Sequence, residues 1–264
     1  MGPARPEEIH VTTVISIHSF RGGTGKSNTT SNLAGQLASM GNRVAVVDTD
    51  IQSPGIHVLF GFADDLDNTL NDYLWGKLPI KDAAHDVTSV IAKTTTVAEG
   101  GALYLVPSSM KAGDIARVLR EGYDVGTLND GFRALAKDLQ LDYLLIDTHP
   151  GLNEETLLSI TISDILLLIL RPDRQDFQGT AVTVDIARKL NVPALYLVVN
   201  KVPRGVDTED LRAQMTAAYA AETAAILPLA EEVVQNASAG LFSLTNPDHA
   251  WSEQLRTIAQ RVSG

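Results

Sequence analysis

The sequence predicts an α/β fold, a single-domain, doubly wound and mostly parallel sheet with helices on both faces, and three observations predict it. Segments such as Leu144-Leu145-Ile146 and Leu166-Leu167-Leu168-Ile169-Leu170 are apolar at every position, as strands covered on both sides are. Between such segments the apolar period lengthens toward 3.6, as crossover helices require. A glycine-rich loop joins the first strand to the first helix, at the edge where sheets of this class hold ligands.

The elements follow in order. Residues 14–20 read as the first strand, and 27–40 as a helix with Leu33, Leu37 and Met40 on one face, stopped by Gly41. Further strands are expected at 43–48, 102–107, 142–147, 164–170 and 194–200, with helices near 113–121, 128–139, 154–162 and 178–190. The stretch from 65 to 101 is the least legible, with short helices expected around 70–75 and 80–85. A last helix near 250–262 places Trp251, Leu255, Ile258 and Val262 on one face, the pattern of core packing. One domain from residue 13 to 264 is expected, after a short tail over residues 1–12.

Composition excludes several classes. The 264 residues carry a formal net charge of −11, which disfavours a broad electrostatic grip on nucleic acid or on an anionic membrane. The chain has no cysteine, so disulfides, thiolate metal sites and iron-sulfur ligation by its own side chains are excluded together. No apolar run reaches the roughly 18–20 residues of a membrane span, and a cytoplasmic protein is expected.

The chemistry is concentrated after the strands. In Gly22-Gly23-Thr24-Gly25-Lys26-Ser27, with Asn28 following, glycines let backbone N–H groups approach phosphate oxygens at a helix N-terminus. Lys26 supplies a charge to the β/γ oxygens and Ser27 a hydroxyl to Mg²⁺. Asp50, two residues beyond Asp48, can aim a carboxylate at the γ-phosphate side, with Asp48 supporting the metal's waters; the alternative is a pair of loop-capping aspartates. Asp147 ends an apolar strand beside the loop and is expected to hold Mg²⁺ through water, since magnesium takes few protein ligands. Asn200 ends a later strand with an amide able to donate to and accept from an adenine edge, or to serve ordinary turn chemistry. His149 reads as an exposed loop residue rather than a general base, given the carboxylates at hand.

The general phosphate-loop pattern wants a glycine where Phe20 stands. Arg21-Gly22-Gly23-Thr24-Gly25-Lys26-Ser27 instead resembles the deviant loop of the ParA/MinD family of positioning ATPases, with Arg21 in place of the usual lysine. The likeness continues through Val46-Val47-Asp48-Thr49-Asp50, Leu144-Leu145-Ile146-Asp147-Thr148-His149-Pro150-Gly151 and Val198-Val199-Asn200-Lys201, from about residue 14 to 228. The resemblance implies ATP and Mg²⁺ as ligands, Asp50 as the residue orienting the attacking water, and Gly151 following the γ-phosphate. It further implies Asn200 and Pro228 at the adenine, and Arg21 reaching across an ATP-dependent homodimer unless it makes a contact in cis.

It implies as well an adaptor or activator protein that stimulates slow hydrolysis to position a plasmid, chromosome region or protein assembly. Non-specific DNA is a further candidate partner, through Arg171, Arg174, Arg188, Lys189, Lys201 and Arg204, and nucleoid association would follow. MinD-like members end in a basic amphipathic membrane helix, and no such membrane tail is expected here, because the last helix carries few cations. Two other classes stay open on the same fold: a metabolic or maturation enzyme, such as an amidoligase-like carboxylate activator, and a non-hydrolysing ATP sensor.

Overall fold

Side-chain alternation along the strands decides how the sheet is covered. In β1 (Thr13–His18) Ile15 and Ile17 face one side, and in β2 (Arg43–Asp48) Val44 and Val46 face that side while Ala45 and Val47 face the other. Both faces are therefore apolar, and both must be covered by helices. The computed structural model describes residues 11–63 and 66–263, so the expected tail over residues 1–12 lies, apart from Val11 and Thr12, outside the described residues.

After β1 come α1 (Lys26–Ser39), β2, α2 (Leu70–Leu74), the two-residue strand β3 (His85–Asp86), α3 (Thr88–Ala92) and β4 (Ala102–Val106). Then follow α4 (Ala112–Glu121), α5 (Val125–Asp138), β5 (Tyr143–Asp147), α6 (Glu154–Ile162), β6 (Ile165–Leu170) and α7 (Arg174–Lys189). The chain continues through β7 (Ala194–Val202), α8 (Thr208–Tyr219), β8 (Glu222–Pro228), α9 (Glu231–Gln235), α10 (Phe242–Thr245) and α11 (Ala250–Ser263).

Among the described residues these strands form one eight-stranded sheet in the order β3-β4-β2-β5-β1-β6-β7-β8. The ladders are parallel except that of β3 with β4. One face packs against Leu33 and Leu37 of α1 and Trp251, Leu255 and Ile258 of α11. The other packs against Leu128, Phe132 and Leu135 of α5, and farther along the sheet against Val184 of α7 and Leu211 and Met215 of α8. The stripe Trp251, Leu255, Ile258 and Val262 is buried, as expected of core packing.

Register then positions the site. Asp147 pairs with Ile17 of β1 on one side and with Asp48 of β2 on the other, so three adjacent strands end level with one another. Differences from the sequence reading have local causes. α5 begins at Val125 and α7 at Arg174, each a few residues early, because Asp124 and Asp173 accept N–H bonds from the first helical turn. The helix expected at 80–85 is a 3-10 turn over Ile80–Ala83 followed by β3. β7 continues past Asn200 to Val202 through an irregular register, with Lys201 at φ 59°.

Candidate functional site

The phosphate loop begins where β1 stops. Ser19 Oγ donates to the Arg21 carbonyl at 2.7 Å, turning the chain out of the sheet. Gly23 and Gly25 adopt φ of 75° and 96°, the left-handed region where a side chain is strained. Gly25 stands at the N-cap of α1 and has no side chain to cap it, so the first-turn amides face the position of an anion. Lys26 is buried within the first turn, and Ser27 follows it.

Two buried carboxylates lie under this loop. Asp147 lies against the first turns of α1, its Oδ1 3.1 Å from Thr30 Oγ1 and its carboxyl within the influence of the Ser27 hydroxyl. Burial raises its pKa, while the Lys26 charge and those hydroxyls pull it back. Asp48 accepts the Asp50 N–H at 3.0 Å and the Gly55 N–H at 3.4 Å, which shapes the loop between them. Its carboxyl is held well above the usual range by burial and then by the Asp147 and Asp50 charges. The loop-capping reading of Asp48 is thus part of the geometry, alongside its place next to Asp147.

Asp50 meets His149. Asp50 Oδ1 accepts from His149 Nδ1 at 2.6 Å and from the Ser53 N–H at 3.2 Å. His149 is therefore not an exposed loop residue as expected: its side chain is 23% exposed and bonds the carboxylate that the resemblance singles out. Its backbone is fixed as well, since Thr148 N–H donates to the Ile17 carbonyl at 3.2 Å and Gly151 N–H to the Ser19 carbonyl at 3.1 Å. Sequence reasoning also missed His18. Thr148 Oγ1 donates its one proton to the Ile17 carbonyl, so His18 Nδ1, 2.7 Å from that hydroxyl, must be the donor. His18 is buried, and burial, then Lys26, then His149 lower its pKa to about 3, so it is neutral at pH 7. The available signal was a polar side chain ending an apolar strand.

The end of β7 grips the loop from the other side. Asn200 Nδ2 donates to the Thr24 carbonyl at 2.8 Å, its Oδ1 accepts the Lys201 N–H at 2.8 Å, and Lys201 Nζ donates to the Gly23 carbonyl at 2.7 Å. The Asn200 amide thus serves the turn chemistry that the sequence allowed for, with one of its two hydrogens and one of its two oxygen lone pairs used on backbone. It nonetheless lines, with Gly25, Asn28, Pro228, Val233 and Trp251, a cleft of about 260 Å³. Arg21 lies in cis within this chain, its guanidinium donating to Gln175 Oε1 and standing 3.7 Å from Asp176. Of the cations considered for DNA, three have intramolecular partners: Lys201 as above, Arg171 on Asp176, and Arg188 on the Tyr219 and Ala220 carbonyls.

Comparison with known proteins gives the family. Residues 10–263 match the model of the ParA family described as NUBPL iron-transfer P-loop NTPase. An uncharacterized ATP-binding protein of Methanocaldococcus jannaschii is 30% identical over 188 residues, which is 71% of this chain but only 64% of that protein's length. An iron-sulfur cluster carrier protein of Pseudomonas fragi is 27% identical over 249 residues, 89% of this chain and 79% of that one. The solved septum site-determining protein MinD of Pyrococcus horikoshii, complexed with Mg-ADP, shares the fold with a TM-score of 0.76 at 22% identity, covering 96% of each chain. A deviant glycine loop, strand-end carboxylates in register and a match along nearly its whole length together place this chain in the ParA family of P-loop NTPases, a family of ATPases.

Proposed function

We propose that residues 13–264 form an ATP-hydrolysing switch that dimerises on Mg·ATP and, with an adaptor protein, positions an intracellular cargo. The observation that carries it is the convergence at one sheet edge of the Gly22–Ser27 loop, the Asp48 and Asp147 carboxylates and the Asp50 side chain. The amides of Gly23 to Ser27 and the Lys26 ammonium bind the triphosphate, and the cleft lined by Asn28, Asn200 and Pro228 receives the base. Asp50 orients the attacking water, because phosphoryl transfer asks the protein mainly for positioning and charge stabilisation.

The residues fit a magnesium ion. Ser27 offers a hydroxyl, and two buried carboxyls whose pKa values are pushed up would be relieved by a cation nearby. Bound Mg²⁺ would neutralise phosphate charge, with Ser27 as direct ligand and Asp147, Asp48 and Asp50 meeting its waters. The exposed Phe20 and Val182 beside Arg21 support a second copy on this face.

Iron transfer, suggested by the description of the matching family and by a carrier relative, is disfavoured by the chain's own chemistry. It has no cysteine to hold an iron-sulfur cluster. DNA is left out of this reading because Arg171, Arg188 and Lys201 already hold partners in the fold. Among the described residues no helix is long and apolar enough to cross a membrane.

The test is the oligomeric state of Asp50→Ala by light scattering with Mg·ATP and with Mg·ADP. A dimer with ATP alone is expected, since the variant binds but does not cleave; a monomer in both removes the switch. Anaerobic incubation of the parent with iron and sulfide should leave no visible charge-transfer absorbance, and a stable coloured species would favour iron transfer instead.

A further inference from the structure

We infer that His149 is a positioning residue for hydrolysis, holding Asp50 Oδ1 so that Oδ2 is presented to the attacking water. The inference rests on the hydrolytic reading above and adds to it a residue outside the phosphate loop.

Asp50 stands two residues past the end of β2, in a turn, where a carboxylate with two free torsions would sample several orientations. Two donors remove that freedom. His149 Nδ1 at 2.6 Å and the Ser53 N–H at 3.2 Å both bond Oδ1. Because both bond the same oxygen, they restrict the carboxylate's torsions and leave Oδ2 for water.

Of the two donors, His149 is the shorter, and it is the one that links two loops. β2 and β5 are neighbours in register, Asp48 beside Asp147, and the Asp50–His149 bond ties the segments that follow them. His149 can serve as an anchor because its own loop is pinned to β1 and the chain after it, through Thr148 to Ile17 and Gly151 to Ser19. The Asp50 side chain is 14% exposed, so the bond is shielded while the site stays open at its edge. An ionised carboxylate only accepts, so the proton lies on His149 Nδ1. Both the Nδ1–H tautomer and the imidazolium satisfy this, and the geometry therefore does not depend on the charge of the ring.

An orienting group displaced by about 1 Å can cost on the order of 100-fold in rate. The consequence is a loss in kcat without a loss in nucleotide affinity, because His149 acts on Asp50 rather than on the phosphates.

Three variants separate this from a structural role: His149→Asn, whose amide nitrogen can stand where Nδ1 stands, His149→Gln, whose amide lies one methylene farther, and His149→Ala. Steady-state turnover of Mg·ATP is the readout. His149→Ala and His149→Gln should lose about 10- to 100-fold in kcat with KM within about twofold of the parent, while His149→Asn recovers most of the rate. If the alanine variant does not fold, the Asn and Gln pair still decides, since equal rates in the two would overturn the inference. Unchanged kcat in all variants, or KM rising as kcat falls, would overturn it too. A parent without any ATP turnover would overturn the hydrolytic reading and this inference together; parent turnover with indifferent variants would overturn this inference alone.

Discussion

Lys201 Nζ donates to the carbonyl of Gly23 across 2.7 Å, next to the Thr24 carbonyl that Asn200 holds. Two consecutive side chains at the end of β7 thus clamp two consecutive peptide groups of the phosphate loop, and the left-handed Lys201 backbone, φ 59°, is what turns both the same way. Lys201→Ala removes a charge-assisted bond at an exposed position. Nucleotide affinity is expected to fall about 3- to 10-fold by calorimetric titration, with little change in thermal stability.

Gly25 lies against the same clamp. A β-carbon there would come within 2.4 Å of Asn200 Nδ2, on a backbone with φ 96°. Gly25→Ala should therefore abolish measurable ATP binding. Asn200→Ala in that background would relieve the collision but not the backbone strain, so binding should stay weak, and a restored affinity would contradict this account.

Asp48 is expected to oppose stability in the absence of ligand. Its folded pKa is raised above the ordinary 3.8, by burial first and the Asp147 charge second. A raised pKa means stability that is full at low pH and lost as pH rises from 3.8 through the folded value. Asp48→Asn can keep the Asp50 N–H on its oxygen and gives up only the longer 3.4 Å bond from the Gly55 N–H, so at pH 7 its Tm without ligand should rise by about 2 °C, with the gain shrinking toward pH 4. Stabilisation by Mg·ATP should be weaker than in the parent.

His18 has the opposite sign. Its folded pKa is about 3 against 6.5 unfolded, so the unfolded chain binds the proton first as pH falls. Its stability contribution is present above 6.5 and is lost by up to ~1.4 kcal/mol per pH unit on going down toward 3. His18→Asn preserves a donor for Thr148 but does not titrate. Urea unfolding between pH 6.5 and 4.5 should show a flatter profile for the variant, whatever its stability at pH 7.

Arg21 is held in cis by Gln175 and Asp176, whereas the proposed dimer needs it to reach its partner's phosphates. Arg21→Ala should bind Mg·ATP as a monomer and weaken ATP-dependent dimerisation by about 10-fold or more in sedimentation experiments. Gln175→Ala, which loosens the cis contact, should favour the dimer. Equal dimerisation in all three would rule out the exchange.

What the sequence disclosed and what it withheld follow from the range of the interactions. The strand ends, the glycine loop and Asp147 were legible because each is set by local apolar pattern and by backbone needs of Gly23 and Gly25. α8 was not, because its apolar stripe is only Leu211, Met215 and Tyr219 in an alanine-rich helix. β3 was hidden because two residues form no periodicity. The partners of His149 and of Asn200 were invisible for another reason: they are 99 and 176 residues away in the chain, and nothing in the neighbourhood of either residue encodes the meeting. The trans reading of Arg21 came from resemblance and meets here a cis arrangement set by the α7 N-terminus.

Phe20 stands where a more usual phosphate loop has glycine, and its ring takes the room beside Gly179 of α7: a β-carbon at 179 would come within 2.0 Å of it. The first turn of the loop is thereby keyed into a helix more than 150 residues downstream. The two positions form a matched pair in which bulk on one side demands a hollow on the other, so Gly179→Ala should be rescued only when Phe20 is trimmed. The same keying means that any tilt of α7 must drag the mouth of the phosphate cradle with it.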